Sequence, residues 1–511
     1  MYKKTISLLI FISTLIYCTE NAKLLGIFHY PGKSQYMSGV ALMKILAERG
    51  HDVTVVSPIG EKNAPENYRD VVLPEVFEAA KRFMKNYFEY KVHPYVQTYV
   101  IGTVSFSLLN CTLSHPKLQQ LIKTEKFDLV ILQQFYGDAL TYIPYVLDIP
   151  YLFYSPMGAS YITNPSIGNP TFPSYVPDLF LRYTTDMSFF QRLDNTIIFI
   201  INSFIRYFVI LPYHDRIVKE SFPNAPDIQV YNQRASIILL NGDVSINDPV
   251  PKVPGMIDIG GFHIKPPGSL PRDLEDIMNT ARSGVIYFSM GSNLRSVDMP
   301  KHILASLMNV FSKLNQTILW KWENDELEGK PDNVVIRKWL PQNDILAHKK
   351  MKLFITHAGL HSIQETVYHG VPCLTIPVFI DQLSNAKRAV NAGYAELIYM
   401  EEITEERLSP LIEVLLNNNN YTAAAKKRSS IMRDRPLSPA DTASFWVNYA
   451  IRHKGAEHLR VASVNLTWCQ YLLLDIVAFI FLCFLGIFMV LRKLTISLIK
   501  FRNCKIKKKL E

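Results

Sequence analysis

Apolar strand-like segments alternate with amphipathic helix-like segments along most of this chain. From Lys23 the pattern runs KLLGIF, SGVALMKILAERGH and DVTVVSP, and FDLVILQQF (127–135) and PYLFYS (150–155) continue it. A second series starts at GVIYFSMGSN (284–293). Strands that are apolar throughout, with helices between them, form parallel sheets whose two faces are both covered. The sequence therefore predicts an α/β fold of two doubly wound domains facing a cleft, which suits a chain of 511 residues.

Irregular segments separate and interrupt the two series. Residues 156–177 are rich in Pro, Asn, Ser and Gly and predict a long loop, whereas residues 244–268 hold several prolines and glycines and predict an interdomain linker. The apolar stretch 196–212 is interrupted by Arg206, so we expect a buried or membrane-leaning helix there rather than a second membrane span. Neither series has GxGxxG after its first strand, which disfavours a nicotinamide or flavin dinucleotide.

Both ends of the chain carry apolar segments, with different flanks. Residues 1–21 have two lysines, a short apolar run and then small polar residues, which predicts a secretory signal peptide rather than an anchor. Residues 471–491 are long enough to span a bilayer as one helix. The basic residues after them place the tail, 492–511, in the cytosol and the body in the lumen. The tail ends KKLE, which resembles the dilysine retrieval signal, so we expect a single-pass type I protein of the endoplasmic reticulum membrane.

The net charge of +9 is concentrated in the tail. Residues 492–511 hold eight Lys or Arg against one acid, so +7 lies there and the body is close to neutral, which argues against nucleic-acid binding. The six cysteines show neither a disulfide framework nor metal-ligand spacing. A lumenal body can be glycosylated at Asn-X-Ser/Thr sequons, of which there are four: Asn110, Asn315, Asn420 and Asn465.

Residues 338–386 bring together groups that suit a nucleotide sugar. The strand KLFIT leads to His357 and Gly359 at a predicted helix start, where unpaired N–H groups and the helix dipole favour a diphosphate. Ser362 adds a hydroxyl, and Glu365 is placed for the two hydroxyls of a ribose. Singly, a His at a helix start or a Trp before Leu-Pro is more often structural. The same span also holds Trp339, a flat face for a base, and Asp381 and Gln382, which suit sugar hydroxyls.

Together these residues resemble the signature of the UDP-glycosyltransferase family. The matching positions are Phe354, Ile355, Thr356, His357, Ala358, Gly359, Ser362, Glu365, Pro372, Pro377, Asp381 and Gln382. Cys373 departs from the signature, in which an apolar residue is usual. LMKILAERGHDVTVVSP, IDIGGFH, GVIYFSMGSN and WLPQNDILAH resemble the family as well, so the resemblance covers essentially the whole chain. With its single span and lysine tail, the chain resembles an insect-type or animal-type membrane-bound member.

The resemblance implies a GT-B fold, in which two Rossmann-like domains bind the acceptor and the UDP-sugar, plus one C-terminal transmembrane helix. It implies uracil stacking by Trp339, a nucleoside contact from Gln342, ribose binding by Glu365, diphosphate binding by Ser289, Gly291, Ser292, His357, Gly359 and Ser362, and sugar binding by Asp381 and Gln382. The chain has no Asp-X-Asp, so we expect no metal and no cofactor besides the UDP-sugar co-substrate; donors and a helix dipole stabilise the leaving UDP. The family implies glucose, although related hexoses also suit the site.

The predicted organisation combines these inferences. It comprises a signal peptide at 1–21, an acceptor-binding domain at 22–243, a linker at 244–268, a UDP-sugar-binding domain at 269–455, a lumenal stem at 456–470, a transmembrane helix at 471–491 and a cytosolic tail at 492–511.

The acceptor side departs from the family. In family members, a His after the first strand removes the acceptor's proton, and an Asp or Glu on a later strand orients that His. Here the base position falls on Gln35, and the orienting position falls on Gln133 or its neighbour Gln134. An amide cannot act as a base near neutral pH, so the dyad as the family uses it is absent.

Three hypotheses remain open for the acceptor side. The chain transfers a hexose, with inversion, to a small lipophilic acceptor that needs little base help; or His29, at the end of the first strand, replaces the base; or the protein binds UDP-sugar or a lipophile without turnover. Base catalysis is typically worth about 10²- to 10⁴-fold, so slow transfer can survive its loss. We expect transfer because the donor residues are intact.

The acceptor itself is not named by the sequence. We expect the N-terminal domain to line its pocket, including the loop 156–177. A lipophilic acceptor suits a group of aromatic residues, although a helix core has the same composition: Tyr87, Phe88, Tyr90, Tyr95 and Tyr99. A homo- or hetero-oligomer is compatible with the sequence.

Overall fold

The computed structural model describes residues 21–81 and 92–510, with side chains described up to residue 503. The chain forms two compact units, Met1–Arg460 and Val461–Glu511. The predicted signal peptide, apart from its last residue, lies outside the described residues, as do three of the aromatic residues named above, Tyr87, Phe88 and Tyr90.

The first unit begins with a parallel sheet. Its strands in the described part of the chain number seven, in the order β3-β2-β1-β4-β5-β6-β7. The central strand β1 pairs with β2 and β4, so that Leu25 lies between Thr54 and Val130. The strands are β1 Lys23–Ile27, β2 Asp52–Ser57, β3 Tyr68–Val72, β4 Leu129–Gln133, β5 Tyr151–Ser155, β6 Ile238–Leu240 and β7 Met256–Asp258.

A second parallel sheet follows along the chain. Within the same described ranges it has six strands in the order β10-β9-β8-β11-β12-β13. They are β8 Val285–Ser289, β9 Thr317–Lys321, β10 Val334–Arg337, β11 Met351–Thr356, β12 Cys373–Thr375 and β13 Ala395–Leu397. The two sheets confirm the predicted α/β class with two doubly wound domains.

Apolar side chains project from both faces of each sheet because successive residues of a strand point in opposite directions. Leu25 and Leu24 of β1 pack in different core clusters, and so do Tyr287 and Phe288 of β8. Helices supply the facing side chains. Those before the second sheet are α1 Lys33–Glu48, α2 Pro74–Lys81, α3 Pro94–Leu113, α4 Pro116–Thr124, α5 Tyr142–Leu147, α6 Phe189–Ile205 and α7 Leu211–Ser221. Later ones are α8 Arg272–Thr280, α9 Lys301–Ser312, α10 Gln342–Ala347, α11 Leu360–His369, α12 Gln382–Asn391, α13 Glu405–Asn417, α14 Asn419–Arg433 and α15 Pro439–Arg452.

The packing crosses two of the predicted domain boundaries. Strand β7 lies inside the predicted linker, 244–268, and pairs in parallel with β6, so part of that segment belongs to the first sheet. Helix α15 lies inside the predicted second domain, 269–455, yet its Ala443 and Val447 share a core cluster with Leu24 of the first sheet. A short apolar strand and an apolar helix face do not indicate which sheet will bury them, so the sequence pattern could not place either element.

The second unit is helical. Helix α16 covers Trp468–Tyr471 and α17 covers Leu474–Leu510, so the predicted span at 471–491 begins three residues before the long helix and the helix continues through the predicted tail. Length and composition make two described stretches candidates to cross a membrane: Leu474–Asn503 and Phe189–Ser221. The second candidate is α6 and α7 joined by a π-helical turn, Arg206–Ile210, and it contains the apolar stretch 196–212.

Candidate functional site

His357 lies between two loops at the carboxyl edge of the second sheet. Strand β8 ends at Ser289 and β11 at Thr356, and these two residues are paired in register, so the loops that follow start side by side. A Cβ at Gly291 would lie 2.3 Å from Cε1 of His357, and one at Gly359 would lie 2.4 Å from its Nε2. Gly291 also has φ +79°, which favours glycine. Both glycines are therefore required for the imidazole to occupy this position.

The imidazole of His357 is neutral at pH 7. Burial, together with the charge of Lys321, lowers the pKa of His357 to about 4. A neutral imidazole carries one N–H donor. Gly359 is the N-cap of α11 and Ser362 lies in its first turn, so backbone N–H groups and a hydroxyl converge beside the ring. The Ser289 hydroxyl accepts a hydrogen bond from the N–H of Gly291 at 3.2 Å, which holds the opposite loop. This arrangement of donors suits an anion.

Gln342 and Glu365 form the next part of the site. The Nε2 of Gln342 donates to Oε2 of Glu365 at 2.8 Å and to Oγ of Ser362 at 3.2 Å. Burial raises the pKa of Glu365 to about 7. Its Oε1 lies 3.8 Å from Nε2 of His263, whose ring packs 4.4 Å from that of His361. A buried carboxylate with acceptor capacity left over suits a pair of hydroxyl donors, such as those of a ribose.

Two residues of this cluster were not predicted. His263 closes the quoted segment IDIGGFH and His361 lies inside the His357–Glu365 motif, so both were visible in the sequence. Their spacing in the sequence did not indicate that they are in contact. A contact between a linker residue and a helix residue 98 positions later depends on the tertiary fold.

Trp339 follows β10 and presents its ring to solvent. Its exposed fraction is 60%, which is unusual for a residue type that folding normally buries. Nζ of Lys33, from the first turn of α1, lies 5.6 Å from the centre of the indole ring. The ring is thus free to stack on a planar ligand, and a cation from the first domain lies next to it.

Asp381 and Gln382 start α12. Gln382 uses its Oε1 to accept hydrogen bonds from the N–H groups of Val378 and Phe379, at 2.9 and 3.2 Å, which fixes the loop after β12. Nδ2 of Asn385 donates to Oδ2 of Asp381 at 2.7 Å and to the carbonyl of Ala358 at 3.1 Å. Asn385 therefore ties the Asp381 carboxylate to the His357 loop, a connection that the sequence did not reveal.

The two positions of the predicted catalytic dyad lie in the first domain, whereas the other residues of this site belong mainly to the second. Gln35 is in the first turn of α1, and Gln133 ends β4 with its Oε1 accepting from the N–H of Tyr30 at 3.1 Å. Gln134 points elsewhere, because its Nε2 is hydrogen-bonded to Oγ of Ser166. Of the two amides considered for the orienting position, Gln133 is the one that contacts the loop leading to Gln35.

Hydrogen bonds connect that loop to the second domain. The N–H of Lys33 donates to Oδ1 of Asn293 at 3.1 Å, and Nδ2 of Asn293 donates to Oγ of Ser34 at 3.3 Å. Asn293 belongs to the loop after β8 that also carries Gly291 and Ser292. The segment with Gln35 is therefore held against the loop that we expect to bind diphosphate.

His29 is enclosed by the first domain. Its exposed fraction is 1%, and its Cε1 would lie 2.7 Å from a Cβ at Gly137. Burial, with the nearby His214, lowers the pKa of His29 to about 3. The nearby carboxylate of Asp138, which would raise the pKa of His29, is paired with Arg206 at 2.7 Å. A buried imidazole with a lowered pKa is a weak base, which weighs against His29 in that role.

A cavity of about 270 Å³ lies where the predicted loop 156–177 approaches residues 243–258 and α12. Two of its lining residues form an ion pair, with Nε of Arg388 3.3 Å from Oδ2 of Asp248. Its lining includes Gly158, Val176, Asn247, Asp248, Asp258 and Arg388. No group of three or more His, Cys, Asp or Glu side chains with the geometry of a metal site occurs among residues 21–81 and 92–503.

Comparison with known proteins decides the family. The sequence profile of the family described as UDP-glucoronosyl and UDP-glucosyl transferase matches residues 27–510. The chain belongs to this family. UDP-glycosyltransferase UGT5 of Dactylopius coccus is 36% identical over 475 residues, which are 92% of this chain and 90% of that protein. UDP-glucuronosyltransferase 1A9 of Mus musculus is 31% identical over 88% of this chain and 87% of its own length.

Solved structures of family-like enzymes support the fold. The glycosyltransferase SnogD from Streptomyces nogalater has a TM-score of 0.57 at 17% identity and covers 84% of this chain and 100% of its own. The glycosyltransferase VinC, solved in complex with DTDP, also has a TM-score of 0.57, at 15% identity, with 84% and 100% covered. At such identities the likeness concerns the fold, which is that of the GT-B glycosyltransferases. The predicted family and fold class are thereby confirmed, and the chain is a member of a glycosyltransferase family.

Proposed function

We propose that this protein transfers a hexose, glucose in the first instance, from a UDP-sugar to a small lipophilic acceptor, with inversion and without a metal. The observation that carries the proposal is the convergence of the predicted donor residues at the carboxyl edge of the second sheet, which is where parallel α/β sheets bind ligands. The loop with Gln35 is hydrogen-bonded to the same edge, at Asn293. The UDP-sugar and the acceptor substrate would then meet where this site faces the first domain.

Each donor residue has a chemical task in this proposal. Trp339 stacks on uracil, and Glu365, held by Gln342, accepts hydrogen bonds from the ribose hydroxyls. His357 donates to the diphosphate together with Ser362 and the N-terminus of α11. Donors aimed at the diphosphate stabilise the negative charge that develops on UDP as the sugar leaves, and such stabilisation is the main source of rate acceleration in many group transfers. The remaining residues complete the diphosphate and sugar subsites: Ser289, Gly291, Ser292, Gly359, Asp381 and Gln382.

The acceptor must supply its own nucleophile. Gln35 can accept or donate a hydrogen bond but cannot take up a proton near pH 7. A neutral amine attacks C1 of the sugar with its lone pair, the C1–O bond to UDP breaks, and the resulting ammonium loses its proton to water. An acidic hydroxyl reacts after ionising in solution. We therefore propose an amine or an acidic phenol as the acceptor class, with Gln35 orienting it.

The second candidate is a protein that binds UDP-sugar or a lipophile with little turnover. Two observations favour it: both dyad positions are amides, and the Oε1 of Gln133 is already engaged by the N–H of Tyr30. Neither observation concerns the predicted UDP-sugar residues. The transferase and a UDP-sugar-binding protein therefore predict the same nucleotide binding and differ only in turnover.

The test uses the full chain in lipid nanodiscs with UDP-glucose and a panel of phenols and amines. UDP release and glycoside mass are measured together, and UDP binding is measured by calorimetry. Glu365→Ala should lose UDP binding, whereas Glu401→Ala, an exposed carboxylate of the same half of the chain, should keep it. Transfer to amines or acidic phenols supports the proposal. UDP binding with no glycoside from any acceptor supports the second candidate. Absence of UDP binding rejects both transfer from a UDP-sugar and UDP-sugar binding, and leaves only the lipophile-binding form of the second candidate.

The cellular setting is part of the proposal. We place the body in the lumen of the endoplasmic reticulum, after removal of residues 1–21, with a membrane helix within Leu474–Asn503 and a cytosolic tail. Protease added to sealed microsomes should then remove only the tail. A glycosidase should increase the mobility of the body if the exposed sequon at Asn110 is used, and full digestion of the body by external protease would reject this topology.

A further inference from the structure

Helix α6 buries a mostly polar side, which also includes Ile198, and exposes a mostly apolar side. Three polar residues on one side of α6 and the turn that follows it are buried: Asn195, Asn202 and Arg206. Asn195 donates to the carbonyls of Pro173 and Val176, at 2.7 and 2.9 Å. Surface helices of soluble proteins have the opposite arrangement, with the apolar stripe toward the core.

The buried polar side chains are hydrogen-bonded within the first domain. Nδ2 of Asn202 donates to Oδ2 of Asp178 at 2.8 Å, and the guanidinium of Arg206 pairs with Asp138 at 2.7 Å. These contacts fix the rotation of the helix about its own axis, so its outer face cannot turn inward. The outer face is therefore a permanent feature of the fold.

The outer face is a continuous stripe of large apolar residues. Its members recur at intervals of three and four residues, which places them on one side of a helix. Their exposed fractions range from 41% to 77%, and they are Phe190, Leu193, Ile197, Ile200, Phe204 and, in the turn after α6, Phe208. A patch of this kind on a folded body marks a contact with another apolar phase or partner.

A second copy of the chain fits the stripe less well than a lipid surface does. Helix pairs select their partner with charged residues on the positions that flank the stripe. Here those positions hold Asp194, Thr196, Ile201 and Ser203. The one charged member, Asp194, is hydrogen-bonded to the hydroxyls of Tyr95 and Tyr183 within the domain.

A lipid surface accounts for the remaining features. Three of the six stripe residues are phenylalanine and the other three are leucine or isoleucine, and Tyr207 lies at the edge of the stripe. Large apolar and aromatic residues on one face are typical of helices that lie at the boundary between lipid and water. The helix cannot cross the bilayer, because the polar residues of its other side are hydrogen-bonded to the first domain. Arg206, directly after the helix, forms a buried ion pair with Asp138. The chain also contains a membrane-span candidate, Leu474–Asn503, so we expect the protein to be attached to a bilayer.

We propose that the outer face of α6 lies flat in the interfacial region of the bilayer, as a second membrane contact in addition to the C-terminal helix. The contact is monotopic: the helix rests in the interface and does not span it. This inference concerns the first domain alone and does not depend on the proposed transfer reaction.

The test is photochemical and uses the full chain in phosphatidylcholine vesicles. Phe204 and, in a separate protein, Phe445 are replaced by p-benzoyl-phenylalanine. Phe445 is the matched control, because it is an exposed phenylalanine on another helix, α15, with an exposed fraction of 45%. After illumination, mass spectrometry identifies what is attached to each position. A cooperative thermal unfolding transition like that of the wild-type protein, measured before illumination, shows that each variant is folded. Phe190 serves in place of Phe204 if the first variant does not fold.

We expect a phosphatidylcholine adduct at position 204 and a much lower lipid yield at position 445. A cross-link from position 204 to a second copy of the chain would assign the stripe to a dimer. A cross-link within the chain would assign it to a segment of the same protein. Either result, or equal lipid yields at the two positions, overturns the proposal.

Discussion

Restoring an imidazole and a carboxylate at the two amide positions is expected to accelerate transfer to phenols. The perturbation is Gln35→His combined with Gln133→Asp or Gln133→Glu. In the structure, Gln133 is fully buried and contacts the loop that leads to Gln35 through the N–H of Tyr30. The isosteric Glu keeps that hydrogen bond and gains an imidazole to orient, whereas a carboxylate at 133 without Gln35→His is a buried charge without a cation.

The expected gain follows from the value of a positioned base, about 10²- to 10⁴-fold in rate, or about 3 to 5 kcal/mol. Asp is shorter than Gln by one carbon–carbon bond, about 1.5 Å, so its carboxylate lies farther from the loop. We therefore expect Gln35→His/Gln133→Asp to gain toward the lower end, about 10²-fold, and the isosteric Gln133→Glu combination to gain more. Gln35→His alone should gain less than either, because its imidazole is not oriented.

The assay is kcat/KM for a weakly acidic phenol as a function of pH, with product mass as a check. The double variants should acquire a rise in rate through the pKa of the new imidazole, which the wild-type protein lacks. Gln35→His/Gln134→Glu is the matched control, because the amide of Gln134 faces Ser166 instead. Equal gains at 133 and 134, or no gain at either, would refute our placement of the dyad.

Three further outcomes follow from the site. Trp339→Ala should weaken UDP binding by about 1–3 kcal/mol, roughly 5- to 150-fold, since base stacking is lost; Trp468→Ala, an exposed indole in the other unit, should not, and equal effects would contradict the stacking role. Burial raises the pKa of Glu365 to about 7, and the ionised carboxylate is the better acceptor for hydroxyls, so affinity for UDP-glucose should fall as pH drops below about 7. Calorimetry should find no such pH dependence of the affinity in Glu365→Gln. A pH dependence that survives in this variant excludes Glu365 as its source. Asn293→Ala removes two hydrogen bonds between the domains and should lower kcat with UDP affinity unchanged; a change in affinity alone would contradict the proposed contact between donor and acceptor loops.

The fold was predictable because its signal is local. Strands β1 and β8 are apolar at almost every position, and such strands are buried on both faces of a sheet. The neighbourhood of the residues predicted to bind the donor has a related reason. Parallel strands deliver their following loops to one edge of the sheet, so the loops after Ser289 and Thr356 are neighbours because β8 and β11 are adjacent.

The remainder depends on contacts that the sequence does not encode locally. The pairing of β7 with the first sheet and the return of α15 to it join segments far apart in the chain. The contact of His263 with His361 and the tie from Asn385 to Ala358 are likewise set by the tertiary fold. For α6, the apolar pattern predicted a helix but gave no indication that its polar side is the buried one.

Photoaffinity labelling with 5-azido-UDP-glucose tests the central claim most directly, because it locates the nucleotide on the chain without requiring turnover. The claim predicts that the label attaches to peptides from residues 338–382, which contain Trp339 and Glu365, and that excess UDP prevents the attachment. Label attached mainly to the first domain, or attachment that UDP does not reduce, would contradict the assignment of the second sheet's carboxyl edge as the UDP-sugar site.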